Sequence, residues 1–205
     1  MVDVCVRKIF LLSPAKVSGV RAGSLLKPAS SLPLAVQFQR EGLPLGVVFA
    51  FASGLYFRGK ITYARHFAKP DDGEVVRVIT TNAGLVDPSL RLTPEGLRAF
   101  GEVDINSDDP RYYEPLRRDA RALARKLGKD RKVVLLGSIA TAKYRDVLLE
   151  CFGERLMFPS DFVGRGDMSR GGLLLRAARN NVELPYISVA GAVLTGKRAK
   201  RIGEM

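Results

Sequence analysis

Short apolar runs alternate with amphipathic helical segments along this chain, and this alternation is the strongest constraint on its fold. The run "RKVVLLG" has no polar alternation, so it predicts a strand that is buried on both faces. Strands that alternate with helices favour a mainly parallel sheet covered on both faces. We therefore predict an α/β fold, with a single three-layer domain over residues 1–195 and a mainly parallel central sheet. The other predicted strands are "VCVRKIFLLS", "EVVRVITTN", "RLMF" and "LPYISVAG".

The strongest helix pattern covers residues 109–128. Asp109 can cap its start, Gly128 can end it, and Pro115 is expected to limit how early the regular helix begins. Helical spacing predicts one buried stripe on it, formed by Leu116, Ala120, Leu123 and Leu127. Further helices are predicted at "SLPLAVQFQREG", which Gly42 closes, "TAKYRDVLLECFG" and "MSRGGLLLRAARNN".

The segment that begins "LGVVFAFASGLYF" is ambiguous. Its first part, Val47–Ala52, could form a strand, because a short apolar run does not distinguish a strand from a buried helix. The part that follows has apolar residues that share one helix face. Its basic side chains, Arg58, Lys60 and Arg65, are expected to project away from that face.

Positive charge is concentrated in the second half of the chain. The 205 residues carry a net charge of +12. Residues 1–110 hold 13 Lys and Arg against 11 Asp and Glu, whereas residues 111–205 hold 20 against 10. This asymmetry favours a polyanionic partner, either nucleic acid or a nucleotide, although a solvated basic surface would also explain it. Residues 196–205 form a basic C-terminal tail.

The sequence predicts no cofactor and no metal. The one histidine, His66, excludes a two-histidine metal site, and Cys5 and Cys151 match no metal-ligand spacing. A Walker lysine motif and a glycine-rich dinucleotide fingerprint are both absent. No signal peptide and no apolar run of about 18 residues is present, so we expect a cytoplasmic protein without a membrane partner.

Small and hydroxyl-bearing residues follow several of the predicted strands. The carboxyl ends of parallel strands meet at one edge of the sheet, where ligands bind. We expect these loops to converge there, with small residues that allow the backbone to approach a ligand. The candidate ligand residues in the loops are Ser13, Asn82, Gly84, Gly137 and Ser138, with Lys143 and Tyr144 in the helix that follows the last of them.

The loop of residues 164–172 concentrates glycine and charge at the start of a helix. Either Asp167 or Ser169 can cap this helix. Arg165 and Arg170 beside a helix start, which is already positive, suggest a bound anion. Candidate ligand residues here are Arg165, Gly166, Ser169 and Arg170, and Asp167 is the candidate catalytic acid or base. Gly171 and Gly172 favour a close backbone approach. The alternative is a structured turn with an internal Asp–Arg pair.

A second mixture of aromatic and basic residues lies in "SGLYFRGK". Aromatic rings with arginine and lysine suit a base and its phosphate, so Ser53, Tyr56, Arg58 and Lys60 are candidate ligand residues. An amphipathic helix with a solvated basic face is the alternative.

Four blocks of the sequence carry a resemblance to known proteins. They resemble successive blocks of a bacterial α/β family of unassigned function, over most of residues 45–176. More remotely, the order of strand, "GLVDP" turn, long helix, strand and helix is similar to uracil-DNA-glycosylase-like domains associated with tRNA-guanine-transglycosylase and archaeosine-synthase enzymes. That resemblance implies a uracil-DNA-glycosylase-like fold and action on an N-glycosidic bond. The blocks are "SGLYFRGKITYARHFA", "VITTNAGLVDPSLRLTP", "VVLLGSIATAKYRDVLLECFG" and "FPSDFVGRGDMSRGGLL".

Two functions are therefore open from the sequence. One is recognition of a nucleobase or nucleotide in nucleic-acid modification, with possible action on an N-glycosidic bond. The alternative is a non-catalytic module that binds nucleic acid or a protein partner. Converging polar loops favour the first function, and the scarcity of histidine and carboxylates in those loops favours the second.

Overall fold

The computed structural model describes residues 8–68, 76–106, 108–128 and 130–192. Cys5 and the basic tail predicted at residues 196–205 lie outside the described residues. The elements in chain order are β1 (Lys8–Leu12), α1 (Val20–Leu26), α2 (Pro33–Glu41), β2 (Leu43–Pro44), α3 (Leu45–Ser53), α4 (Leu55–Phe67), β3 (Val76–Ile79), β4 (Leu85–Val86), β5 (Arg91–Leu92), α5 (Pro94–Gly101), α6 (Pro110–Leu127), β6 (Lys132–Leu136), α7 (Ala142–Phe152), β7 (Leu156–Pro159), α8 (Asp167–Arg179) and β8 (Tyr186–Ser188).

The main sheet is mostly parallel, as predicted, and the protein is of mixed α/β class. Its strand order is β4-β3-β1-β6-β7-β8. β1 pairs in parallel with both β3 and β6, and β6 pairs in parallel with β7. The edge strands β4 and β8 are antiparallel to their neighbours. Leu12 at the end of β1 lies opposite Leu136 at the end of β6, so the loops that follow these strands leave the sheet side by side.

The strands and the long helix bury the residues that the sequence pattern selected. In β6, every residue from Val133 to Leu136 is inaccessible to solvent. The predicted stripe of α6 is buried as well. The side chain of Asp109 accepts a hydrogen bond from the Arg111 N–H at 2.9 Å, which confirms the N-cap. α6 nevertheless begins at Pro110 and continues through Pro115, so the expectation that Pro115 delays the helix was wrong.

The ambiguous segment is helical throughout, so the strand considered for Val47–Ala52 is wrong. These residues belong to α3, which ends at Gly54 with φ at +63°. Glycine adopts this left-handed conformation without strain, so the chain can turn there and start α4 at once. The apolar run is a buried helix because it packs against α4 and α1 rather than pairing with a strand.

The contact between α4 and α8 relies on two glycines. A Cβ atom at Gly59 would lie 2.7 Å from the carbonyl oxygen of Gly171, and one at Gly171 would lie 2.8 Å from that of Leu55. The two backbones therefore approach each other more closely than any side chain would allow. The sequence predicted a close backbone approach at Gly171, and the partner in that approach is another helix.

Candidate functional site

A cavity of about 770 Å³, lined by both polar and apolar groups, lies at the carboxyl edge of the main sheet. Its wall combines the loops after β1, β3 and β6 with the starts of α4, α7 and α8. This convergence is what the sequence predicted for the strand ends. The predicted site residues that line the cavity are Ser13, Ser53, Tyr56, Ser138, Lys143, Tyr144, Asp167 and Arg170.

Several predicted ligand residues lie elsewhere, and each has a structural role or faces solvent. Arg58 is exposed on α4 and does not line the cavity. Asn82 donates from its side-chain nitrogen to the Ala99 carbonyl at 2.8 Å, so it fastens the β3–β4 turn to α5. Gly84 has φ at +66°, and a Cβ there would collide with the Asp119 carboxylate.

The 164–172 loop is only partly a site. Arg165 donates to the Ser169 hydroxyl at 3.2 Å, and neither residue lines the cavity. Gly166, which is exposed, is the N-cap of α8, and no side chain caps this helix. The prediction that Asp167 or Ser169 caps it was therefore wrong. Asp167 is instead the first helical residue, where its charge is favourable to the helix dipole.

Arg170 is held firmly at the cavity wall. Its Nε and Nη2 donate to the Phe162 carbonyl at 3.2 and 3.1 Å, and its guanidinium lies 5.5 Å from the centre of the Phe162 ring. Nη1 lies 3.5 Å from the Asp167 carboxylate, whose side chain is 68% exposed. The predicted Asp–Arg pair is present, but its long and exposed geometry neutralises the arginine only weakly.

The Tyr56 hydroxyl is buried in the cavity wall and has no hydrogen-bond partner among the described residues. The residue is 7% exposed. The Arg170 guanidinium is close enough to act on this hydroxyl electrostatically, but the two groups do not meet the geometry of a hydrogen bond. Burial raises the pKa of Tyr56 and the charge of Arg170 partly offsets this, so the phenol is neutral at neutral pH. A buried hydroxyl without a partner is uncommon and calls for an explanation.

Lys60 lies behind the cavity wall rather than in it. The sequence suggested that this side chain projects away from the core, but it is only 1% exposed. Its Nζ donates to the Ser13 carbonyl at 2.6 Å and lies 2.8 Å from the Ser13 hydroxyl. It also lies 4.5 Å from the centre of the Tyr56 ring. Burial lowers the pKa of Lys60 to about 7, and the distant charge of Asp167 opposes this shift.

Ser13 is surrounded by fixed neighbours. Its backbone N–H donates to the Leu136 carbonyl at 3.2 Å. A Cβ at Gly137 would lie 2.8 Å both from the Ser13 Cβ and from the Tyr144 hydroxyl, so the absence of a side chain at Gly137 brings these groups together. Burial raises the pKa of Tyr144, and hydrogen bonding with the Ser13 hydroxyl and the Ser138 N–H partly offsets the shift.

Part of the wall comes from a segment that sequence reasoning did not select. Phe100, Asp104 and Ile105 line the cavity from the end of α5 and the loop beyond it. Residues 86–110 look like an acidic, loop-rich connection in the sequence. The hydrogen bond from the Thr81 hydroxyl to the Phe100 carbonyl, at 2.7 Å, brings this segment to the sheet edge. No local sequence signal indicates that contact.

The fold and the site together define an α/β protein with a cavity at the carboxyl edge of a mostly parallel sheet, lined by apolar, cationic and anionic side chains. Within the described residues, no group of three His, Cys, Asp or Glu side chains is placed to hold a metal ion. None of the described helices is long and apolar enough to cross a membrane. Comparisons with models of protein families, with curated proteins and with solved structures gave no match.

Proposed function

We propose that the cavity recognises a nucleobase or nucleotide, with its anionic part beside Arg170. The observation that carries this proposal concerns Tyr56, a residue of the cavity wall beside Arg170, whose buried hydroxyl lacks a hydrogen-bond partner among the described residues. A ligand atom that bonds to this hydroxyl would satisfy it. Leaving such a group unsatisfied costs about 1–3 kcal/mol, so the ligand would recover part of that energy.

The size and lining of the cavity support a ligand of this class. A volume of about 770 Å³ lies within the range of small-molecule sites. The wall includes the largely buried rings of Tyr56, Tyr144 and Phe100. Its three cationic side chains outnumber its two carboxylates, and these residues are Lys16, Lys143, Arg170, Asp104 and Asp167.

The wider assignment rests on the sequence resemblance. On that ground we propose a three-layer, uracil-DNA-glycosylase-like arrangement and a role in nucleic-acid modification. The cytoplasmic location, expected from the sequence pattern alone, remains a proposal. Asp167 lines the cavity and is the carboxylate that we assign to acid or base chemistry on an N-glycosidic bond. Asp167→Asn distinguishes a catalytic role of Asp167 from a structural one. If Asp167 is catalytic, this variant loses activity while its melting temperature stays unchanged.

The test is ligand binding by Tyr56→Phe and Arg170→Lys, measured by calorimetry. The probes are ribonucleoside monophosphates, free nucleobases and inorganic phosphate. Tyr56→Phe should weaken binding by roughly 3- to 10-fold while leaving the free protein equally stable or more stable, because it removes an unsatisfied buried hydroxyl. Arg170→Lys should weaken binding by roughly 10-fold, because lysine lacks the planar two-pronged geometry.

The matched control is Arg58→Lys, on the exposed side of α4 and away from the cavity. It should bind every probe as the parent protein does. If no probe binds, or if Tyr56→Phe loses stability but no affinity, the proposal is wrong. If inorganic phosphate is the one probe that binds, the cavity is an anion site that does not recognise a nucleobase.

The net positive charge of residues 111–205 supports a second candidate, which is binding of single-stranded nucleic acid. Affinity for an oligonucleotide should then fall linearly with salt on a log–log plot, with a slope of about −0.7 per phosphate contact. A fluorescence-anisotropy titration at low salt that shows no binding would reject this candidate.

A further inference from the structure

Lys60 is a buried amine without a carboxylate partner among the described residues. The hydrogen bonds of its Nζ go to the carbonyl and the hydroxyl of Ser13. The negative charge of Asp167 acts on Lys60 from a distance, but the ion pair of Asp167 is with Arg170. Charging a lysine in such a place is costly, so a buried lysine beside a cavity is a candidate for a functional role.

The surroundings of Lys60 favour the neutral amine. Burial lowers its pKa to about 7, and the rings of Tyr56 and Phe57 cover the Nζ at 4.5 and 4.9 Å from their centres. A neutral amine has one lone pair and two N–H bonds. It can donate to the Ser13 carbonyl and, at the same time, accept the proton of the Ser13 hydroxyl 2.8 Å away.

The order of the two residues relative to the cavity decides which one would meet a substrate. Ser13 lines the cavity, whereas Lys60 does not. Of the two residues, Ser13 is therefore the one that a molecule in the cavity can meet. This is the arrangement of a nucleophile with its base behind it, and it does not suit a lysine that attacks a substrate itself.

We propose that Ser13 is a nucleophile and Lys60 its general base, in an acyl transfer that hydrolyses a carboxylic ester or amide bound in the cavity. Serine–lysine pairs perform this chemistry on unrelated folds, so the pair is recognised by its geometry. The proposal goes beyond ligand recognition, and it does not depend on whether the ligand carries a nucleobase.

The positions of these groups allow an acylation step followed by a deacylation step. Ser13 Oγ attacks the carbonyl carbon while Lys60 Nζ takes its proton, and the Tyr144 hydroxyl donates to the oxyanion. When the bond to the leaving alcohol or amine breaks, Lys60 returns the proton to that group. Water then attacks the acyl ester on Ser13, with Lys60 taking a proton from the water and giving it to Ser13 Oγ. The products are the acid and the alcohol or amine.

The experiment is covalent labelling of the full chain with a fluorophosphonate, read by intact mass and peptide mapping. Ser13 Oγ displaces fluoride from phosphorus, so a P–O bond replaces the P–F bond and the proton leaves through Lys60. We expect one adduct, on Ser13, and none in Ser13→Ala. The matched control Ser24→Ala, on α1 outside the cavity, should label as the parent protein does.

Two variants distinguish a general-base role of Lys60 from an effect of its positive charge. Lys60→Met and Lys60→Arg should both slow labelling by roughly 100-fold or more, the size of a general-base contribution. Arginine keeps the charge but cannot accept the proton, so a normal rate in Lys60→Arg overturns the proposal. Melting temperatures show whether each variant is folded.

The pH dependence of the parent protein provides a test that needs no folded variant. The labelling rate should rise with pH and reach half of its plateau near pH 7, where Lys60 loses its proton. A rate that does not change from about pH 6 to about pH 9, or no adduct on Ser13 over that range, overturns the proposal. Because the probe contains no nucleobase, this result is independent of nucleotide binding.

Discussion

Replacing Lys60 by methionine should change how the stability of the protein depends on pH. The pKa of Lys60 is lowered from 10.5 to about 7 in the folded protein. Between these two values the unfolded chain binds more protons than the folded protein, so the free energy of unfolding rises as the pH rises. Methionine fills a similar volume and does not titrate, so the variant lacks this dependence.

The magnitude follows from the shift. Each pKa unit corresponds to about 1.4 kcal/mol, so between pH 7 and pH 10 the parent protein should gain about 3 kcal/mol relative to Lys60→Met. Below pH 7 the difference should level off, because Lys60 is then protonated in both states. The loss of the two hydrogen bonds to Ser13 lowers the stability of the variant at every pH and does not alter the slope.

Urea unfolding at a series of pH values, followed by circular dichroism, measures this difference. Lys27→Met, at an exposed position, corrects for the loss of one positive charge. Two curves that run parallel from pH 7 to pH 10 would refute the reasoning, because Lys60 would then take up its proton equally well in the folded and unfolded states. The proposed general-base role would then lose its support, because Lys60 would remain protonated at neutral pH.

Three further predictions concern packing and surface charge. Gly171→Ala should destabilise the protein by roughly 1–3 kcal/mol, because its Cβ would lie 2.8 Å from a backbone oxygen of α4. Gly23→Ala, whose Cβ meets nothing within 4 Å, should instead stabilise α1 by about 0.5–1 kcal/mol; equal melting temperatures for these two variants would contradict the close α4–α8 contact. Glu150→Gln removes ion pairs of 2.6 and 2.9 Å with the exposed Arg121 and the half-buried Arg117 of α6, yet it should cost less than about 1 kcal/mol in urea unfolding.

The sequence was sufficient for features that depend on local pattern. The apolar run of β6 and the stripe of α6 predicted burial correctly, because strand and helix periodicity determine which side chains face a core. The rule that ligands meet the carboxyl ends of parallel strands placed Ser13 and Ser138 at the cavity.

The features that the sequence did not predict depend on contacts between distant parts of the chain. Lys60 looked like a surface residue because it lies off the apolar face of its helix, and α8, which covers that part of α4, begins only at Asp167. The helix at Val47–Ala52 was uncertain for the same reason, since an apolar run takes its structure from what packs around it. Phe100 reached the cavity through a hydrogen bond to Thr81 that has no signature in either segment.

The glycine contact between α4 and α8 also constrains the order in which the protein can be built. It joins Gly59 to Gly171, so a chain emerging from the ribosome completes α4 long before its partner helix exists. Until then, the face of α4 that carries Tyr56 lacks its cover and the wall of the cavity is incomplete. Contacts of such sequence separation slow folding and leave apolar surface exposed for longer. A nascent chain that stalls before α8 would therefore present this face to chaperones or to aggregation, and the cavity would form only after most of the chain has been made.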